Sequence, residues 1–262
     1  VNLFENFTNK LRTYGTLEAY KILQSSKDSN LPIDLGLWIG GDLEANNLEI
    51  QRALEILKEY PNRIQSVIVG NEVLLRKELE PLELYAYIDF MKSHTKKPVT
   101  TAETWDIWEK NPQLASHVDF LTIHILPYWE KVPIERYNEF IIEKYSVVEE
   151  LFPNRKIVIG ETGWPSHGYN NNSAIPSIKN QAQAIRGFVN LAHEKGWHYN
   201  IIEALDQPWK GYDEGNVGQY WGIFTTDRAL KFQLASEVEF NKYWLYQMIA
   251  AIIIGALLTI FG

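Results

Sequence analysis

Seven strand-like runs recur along the chain, at 11–14, 33–39, 66–70, 98–102, 120–126, 156–160 and 199–205. Several, such as VIVG and IVIG, are apolar at consecutive positions instead of alternating, the pattern of a strand covered on both faces. Amphipathic stretches lie between most of them. NNLEIQRALEILKEY at 46–60 places Leu48, Ala53, Leu54, Ile56 and Leu57 at helical spacing. PLELYAYIDFMKSH at 81–94 opens on a proline, and QAQAIRGFVNLAHEKG at 181–196 closes on Lys195 and Gly196, which are start and stop signals of helices. Strands alternating with helices predict an α/β fold with a parallel sheet. Seven strands point to a (β/α)8 TIM barrel that lacks one strand. The alternative is an open doubly wound sheet, but no Gly-rich phosphate loop follows any strand.

The end of the chain follows another pattern. From Tyr243 to Gly262 there is no charged residue. The run has about the length of a bilayer span, with Trp244 and Tyr246 at its start and Lys242 just outside. The expectation is a transmembrane helix over 243–262 behind a domain covering 1–240. A terminal helix buried in the domain is the alternative.

Composition narrows the function. The chain has 262 residues, enough for one barrel-sized domain, and a net charge of −8, which argues against a nucleic-acid partner. Nine Trp and 14 Tyr suit a carbohydrate cleft, because sugar rings stack their apolar faces on aromatic side chains. The absence of Cys removes disulfides, thiol catalysis and Cys-ligated metal.

Glu72 follows VIVGN and Glu161 follows KIVIG. Each carboxylate therefore sits at the carboxyl end of a buried strand, the active-site face of an α/β barrel. Two carboxylates brought together there are what glycoside hydrolysis needs: one acid/base, and one nucleophile or base. Tyr14 and Arg12, two residues apart on one strand, share a face toward the cleft; a buried Arg must be paired, so Arg12 is expected to position a catalytic carboxylate. His124 has no partner at metal-ligand spacing among His94, His117, His193 and His198, so neither metal nor cofactor is expected.

The segments GNE at 70–72 and GETGWPS at 160–166 resemble glycoside hydrolase family 17, the β-1,3-glucanases and β-1,3-glucanosyltransferases, in its bacterial and fungal members more than in its plant ones. The resemblance continues through LRTYG at 11–15, LWIGG at 37–41, TTAETW at 100–105, HILPYW at 124–129, EALDQPWK at 203–210 and YWGIF at 220–224. LRTY matches the family's second barrel strand, so the first is the one expected to be missing. The resemblance implies Glu72 as general acid/base, Glu161 as nucleophile, and Asn71 as a partner of the sugar hydroxyl beside the reacting carbon. An acid must be protonated near neutral pH, so Glu72 is expected to have a raised pKa. Glu161 needs hydrogen-bond donors, for which Tyr128 is a candidate, and His124 is expected near it. Trp38, Glu103, Trp105, Trp164, Glu203, Asp206, Trp209 and Lys210 complete the expected sugar-binding set. The expected activity is retaining hydrolysis or transglycosylation of β-1,3-glucan. The expected enzyme faces the periplasm or the exterior and is held there by the terminal helix. The competing functions are a non-catalytic glucan-binding domain of a membrane protein, and part of a channel or transporter, which would leave the carboxylates unexplained.

Overall fold

The computed structural model describes residues 3–235 and 243–261. Seven strands form one parallel sheet in chain order. They are β1 (Leu11–Arg12), β2 (Ile33–Leu37), β3 (Ile64–Asn71), β4 (Val99–Thr104), β5 (Leu121–His124), β6 (Ile157–Thr162) and β7 (His198–Ile201). The intervening helices are α1 (Thr16–Ser25), α2 (Leu43–Glu59), α3 (Pro81–His94), α4 (Trp105–Lys110), α5 (Leu114–His117), α6 (Tyr137–Leu151) and α7 (Ile178–Lys195). Strand order never reverses, so the doubly wound alternative fails; this is a (β/α)8 barrel short of one strand. The described residues show no pairing between the edge strands β1 and β7, where the sequence places the gap.

The three helices delimited in the sequence form where their caps require. Asp42 accepts from the backbone of Glu44 and Ala45 at the start of α2. Glu80 and Glu83 build a reciprocal capping box ahead of Pro81 in α3. Gly196 ends α7 in the left-handed conformation, φ 67°.

Period-two alternation divides each strand between two environments. Leu35, Val67, Val69, Val99, Leu121, Ile123, Ile157 and Ile159 join Ala53, Ile56, Leu84, Ile88, Ile141, Val148 and Phe188 of the helices in one buried core. The opposite face lines the barrel and is unusually polar. Asp34 there accepts from Ser66 and Lys10, both at 2.6 Å.

Four register shifts interrupt this alternation. One lies at the start of β2, between Ile33 and Asp34. The other three, between Ile68 and Asn71, Ile123 and His124, and Ile159 and Thr162, lie at the carboxyl ends of strands. In β6, Ile123 pairs with Ile159 but His124 pairs with Glu161, so Gly160 is extra. Simple alternation would put Glu161 on the helix side with Ile159. The bulge turns it into the barrel. The shift in β3, with Gly70 at φ +83°, does the same for Asn71.

The terminal helix α8 (Trp244–Phe261) forms, and its described side chains are all exposed. Among the described residues, however, no helix is long and apolar enough to cross a membrane, which corrects the expected span. The stretch beyond Gln247 runs over Met248–Phe261, about 21 Å of helix against a hydrocarbon core of about 30 Å. Lys242, the flanking charge in that reading, lies outside the described residues.

Candidate active site

Arg12 organises the carboxyl end of the barrel. Its buried guanidinium donates to the Gly160 carbonyl at 2.7 Å, to Asn71 Oδ1 at 2.6 Å and to His124 Nε2 at 3.1 Å. It lies 3.4 Å from Glu161 Oε1 and covers the Tyr14 ring at 4.8 Å. Four strands are therefore tied to one cation. Room for it comes from Gly160: a Cβ there would sit 2.4 Å from Thr122 Cγ2 and 3.0 Å from both Arg12 Nη1 and His124 Cδ2. Gly160→Ala is expected to displace Arg12 and His124 and lower kcat/KM about 100-fold, since ångström-scale misplacement carries costs of that order. Unchanged kinetics on laminari-oligosaccharides would contradict this packing.

Glu161 is buried, and its Oε1 accepts no hydrogen bond from the described protein. Tyr14 is its hydroxyl partner. Burial, and then the charge and hydrogen bond of Glu161, push the Tyr14 pKa well above its ordinary value. Tyr128 does not take the role expected of it, because its hydroxyl donates to the Tyr169 carbonyl at 2.7 Å within the core.

Glu72 has φ 54° and hangs from Ala102 by its backbone N–H at 2.7 Å. Its Oε1 is 2.7 Å from His124 Nδ1. One carboxylate oxygen of Glu72, one of Glu161 and a ring nitrogen of His124 lie within 4.8 Å of one another. The expected rise in the Glu72 pKa is not what this arrangement gives. Burial raises it, but the His124 hydrogen bond, with the charges of Arg76 and Arg12, outweighs burial and leaves it below the ordinary glutamate value. The same three residues have the donor types of a metal site. Arg12 Nη1, however, lies 3.4 Å from Glu161 and 3.1 Å from His124, so a positive charge already sits against two of the three ligands.

These groups open into a cavity of about 1940 Å³ that also runs along the unpaired side between β1 and β7. Tyr14, Trp38, Asn71, Glu203, Trp209 and Lys210 line it with the two glutamates. Asn71 commits its carbonyl oxygen to Arg12, which leaves its NH2 for a ligand. Trp38 is 46% exposed and carries Arg76 at 4.6 Å over its ring. Trp209 is 59% exposed. Lys210 binds Glu203 at 2.9 Å. Burial lifts the Glu203 pKa to about 7, against the opposing pull of Lys210.

Several expected binding residues are elsewhere. Glu103 is fully buried and accepts from the backbone of Leu74 at 2.8 Å and Leu75 at 3.3 Å. It holds the turn after Glu72, and burial lifts its pKa to about 8, against those two bonds. Trp164 is fully buried, its indole bonded to the Ile175 carbonyl at 3.0 Å. Asp206 is pinned by Lys231 at 2.6 Å and the Gly222 backbone at 3.0 Å, and so supports the loop that carries Trp209. Trp105 bonds Glu130 at 2.9 Å under the Lys144 ammonium, outside the cavity lining. Sequence reasoning missed Arg76. It follows Glu72 by four residues, bonds the Asn71 carbonyl and pulls on the Glu72 pKa. A lone Arg in a turn gave no signal for this.

A barrel with two carboxylates facing each other at its carboxyl end defines a glycoside hydrolase or transglycosylase. A family profile described as the BtgE/BtgC glycoside hydrolase domain matches residues 1–222, and the chain belongs to that family. It is 27% identical over 248 residues to a glucan 1,3-beta-glucosidase of Schizosaccharomyces pombe, covering 87% of this chain and 77% of that one. It is 25% identical to a glucan 1,3-beta-glucosidase of Saccharomyces cerevisiae, covering 88% and 82%. A solved active-site mutant of Rhizomucor miehei beta-1,3-glucanosyltransferase in complex with laminaritriose superposes with a TM-score of 0.82 at 25% identity, covering 90% of this chain and 89% of that one.

Proposed function

We propose that the chain is a retaining enzyme of β-1,3-glucan, with Glu161 as nucleophile and Glu72 as acid/base. The observation that carries this is the approach of the two carboxylates to within 4.8 Å. Retaining glycosidases hold them about 5–5.5 Å apart, whereas inverting ones leave about 6.5–9.5 Å for a water.

Glu161 attacks the anomeric carbon while Glu72 gives its proton to the departing glycosidic oxygen. The glycosyl-enzyme ester forms as the glycosidic bond breaks. Glu72, now a carboxylate, takes a proton from a water or a sugar hydroxyl, whose oxygen displaces Glu161. Water completes hydrolysis and sugar completes transfer. Arg12 and Tyr14 keep Glu161 oriented. No step needs a cofactor. Trp38 and Trp209 are exposed at the cavity, where sugar rings can stack. The β-1,3 linkage is supported by the glucosidases of both yeasts and by the laminaritriose complex. Such a polymer places the barrel domain, read from the sequence as 1–240, outside the cytoplasm, in periplasm or exterior.

Product analysis on laminari-oligosaccharides tests the reading. Shorter sugars are expected from hydrolysis and longer or branched ones from transfer, with the β-configuration retained in the first product seen by NMR. An inverted product overturns the mechanism. Binding without any product leaves a glucan-binding domain in its place.

A further inference from the structure

His124 lies on the floor between the two carboxylates, with its side chain fully buried. The charged and titratable groups around it come from three strand ends. Arg12 faces it from β1, Glu72 from beyond β3 and Glu161 from β6. Glu72 is in turn faced by Arg76 and by the buried Glu103.

Arg12 decides what this imidazole can do. A guanidinium has five N–H donors and no acceptor. Its contact with His124 Nε2 at 3.1 Å therefore requires a lone pair on Nε2. The ring proton must then be on Nδ1, 2.7 Å from Glu72 Oε1, where it donates to the carboxylate. A second proton on Nε2 would have to displace the guanidinium, at 3.1 Å, to reach Glu161 Oε1, at 3.5 Å. With Nδ1–H turned to Glu72 and Nε2 turned to Arg12, the imidazole acts on the glutamate as a hydrogen-bond donor.

On the reading of Glu72 as acid/base, we infer that His124 is a positioning residue locked by Arg12 as a neutral Nδ1–H donor, and that this donor sets the protonation equilibrium of the acid. It favours the Glu72 carboxylate left after proton donation, making Glu72 the stronger acid and then a stable base for the second step. His124 itself gives no proton to the substrate: releasing Nδ1–H with Nε2 unprotonated would leave an imidazolate.

The kinetic test is the pH profile of kcat/KM on laminari-oligosaccharides. Its basic limb reports ionisation of the free enzyme's acid. His124→Leu removes the donor, so the limb is expected to move up by about one pH unit, the worth of one hydrogen bond to a charged group. His124→Asn keeps an N–H donor in place of Nδ1 and is expected to return the limb to the wild-type pH. A limb that stays put in His124→Leu, or that shifts equally in His124→Asn, overturns the inference. Nitrogen-15 spectra of the wild-type protein give a readout that survives misfolding of either variant. They are expected to show His124 with its proton on Nδ1 only; a proton on Nε2 overturns the lock. Failure of the site reading is distinguishable. If Glu72→Gln leaves kcat/KM on natural glucan intact, the acid assignment and this inference fall together. If Glu72→Gln abolishes that activity and His124→Leu does not move the limb, only the role of His124 falls.

Discussion

Glu161→Gln abolishes turnover of every glycoside, activated or not, with kcat falling at least about 10⁴-fold, and no glycosyl-enzyme accumulates. The amide oxygen is a poor nucleophile. Glu203, another acid lining the cavity, is paired with Lys210. Losses of this size are ordinary for the group that forms the covalent bond. The substitution is nearly isosteric, and Arg12 keeps Asn71, Gly160 and His124 as acceptors, so the fold is expected to hold. Intact-mass analysis with an activated laminaribioside separates the outcomes: the wild type shows the glycosyl adduct and the variant does not. An adduct on the variant would remove Glu161 from the nucleophile's place.

The site was legible in the sequence where a strand ends on chemistry. Glu72 and Glu161 announce themselves because the apolar runs before them can only be buried strands, and topology then gathers strand ends at one face. Alternation also carried information that the family resemblance masked. Val99, Thr101 and Glu103 share one face of β4, and Val99 belongs to the core against the helices. Counted by twos, Glu103 goes outward to the helix layer, where it is found fully buried.

Other placements could not be counted. Three of the four register shifts fall beside Asn71, His124 and Glu161. A bulge exchanges the two faces of a strand without leaving a pattern that a period of two can detect. The partners of ionised groups were equally hidden. EALDQPWK contains two acids and one Lys, and a local pair of Asp206 with Lys210 is the simplest reading. Instead Lys210 turns to Glu203, and Asp206 takes Lys231 from 25 residues on. Tyr14 and Tyr128 are both tyrosines beside a strand end. Only packing decides which reaches Glu161: Tyr128 is surrounded by Trp129, Trp164 and Trp221.

Glu72→Gln gives a different signature from the loss of the nucleophile. Natural glucan leaves as a poorly acidic sugar alcohol and needs a proton, so kcat/KM on laminari-oligosaccharides is expected to fall about 10²–10⁴-fold. An aryl glycoside with a good leaving group departs without one, so formation of its glycosyl-enzyme stays near the wild-type rate. The second step then lacks its base and the ester accumulates, seen as a burst of aryl alcohol followed by slow turnover. The pH dependence follows from the same group. The reaction needs protonated Glu72, and the protonated fraction falls as pH rises through a pKa that His124, Arg76 and Arg12 hold below the ordinary glutamate value. Wild-type kcat/KM therefore declines on its basic side at acidic pH. In Glu72→Gln that limb disappears, because the amide has no proton to lose in this range. Equal losses on aryl and natural substrates, or a basic limb that persists in the variant, would assign the acid to another group.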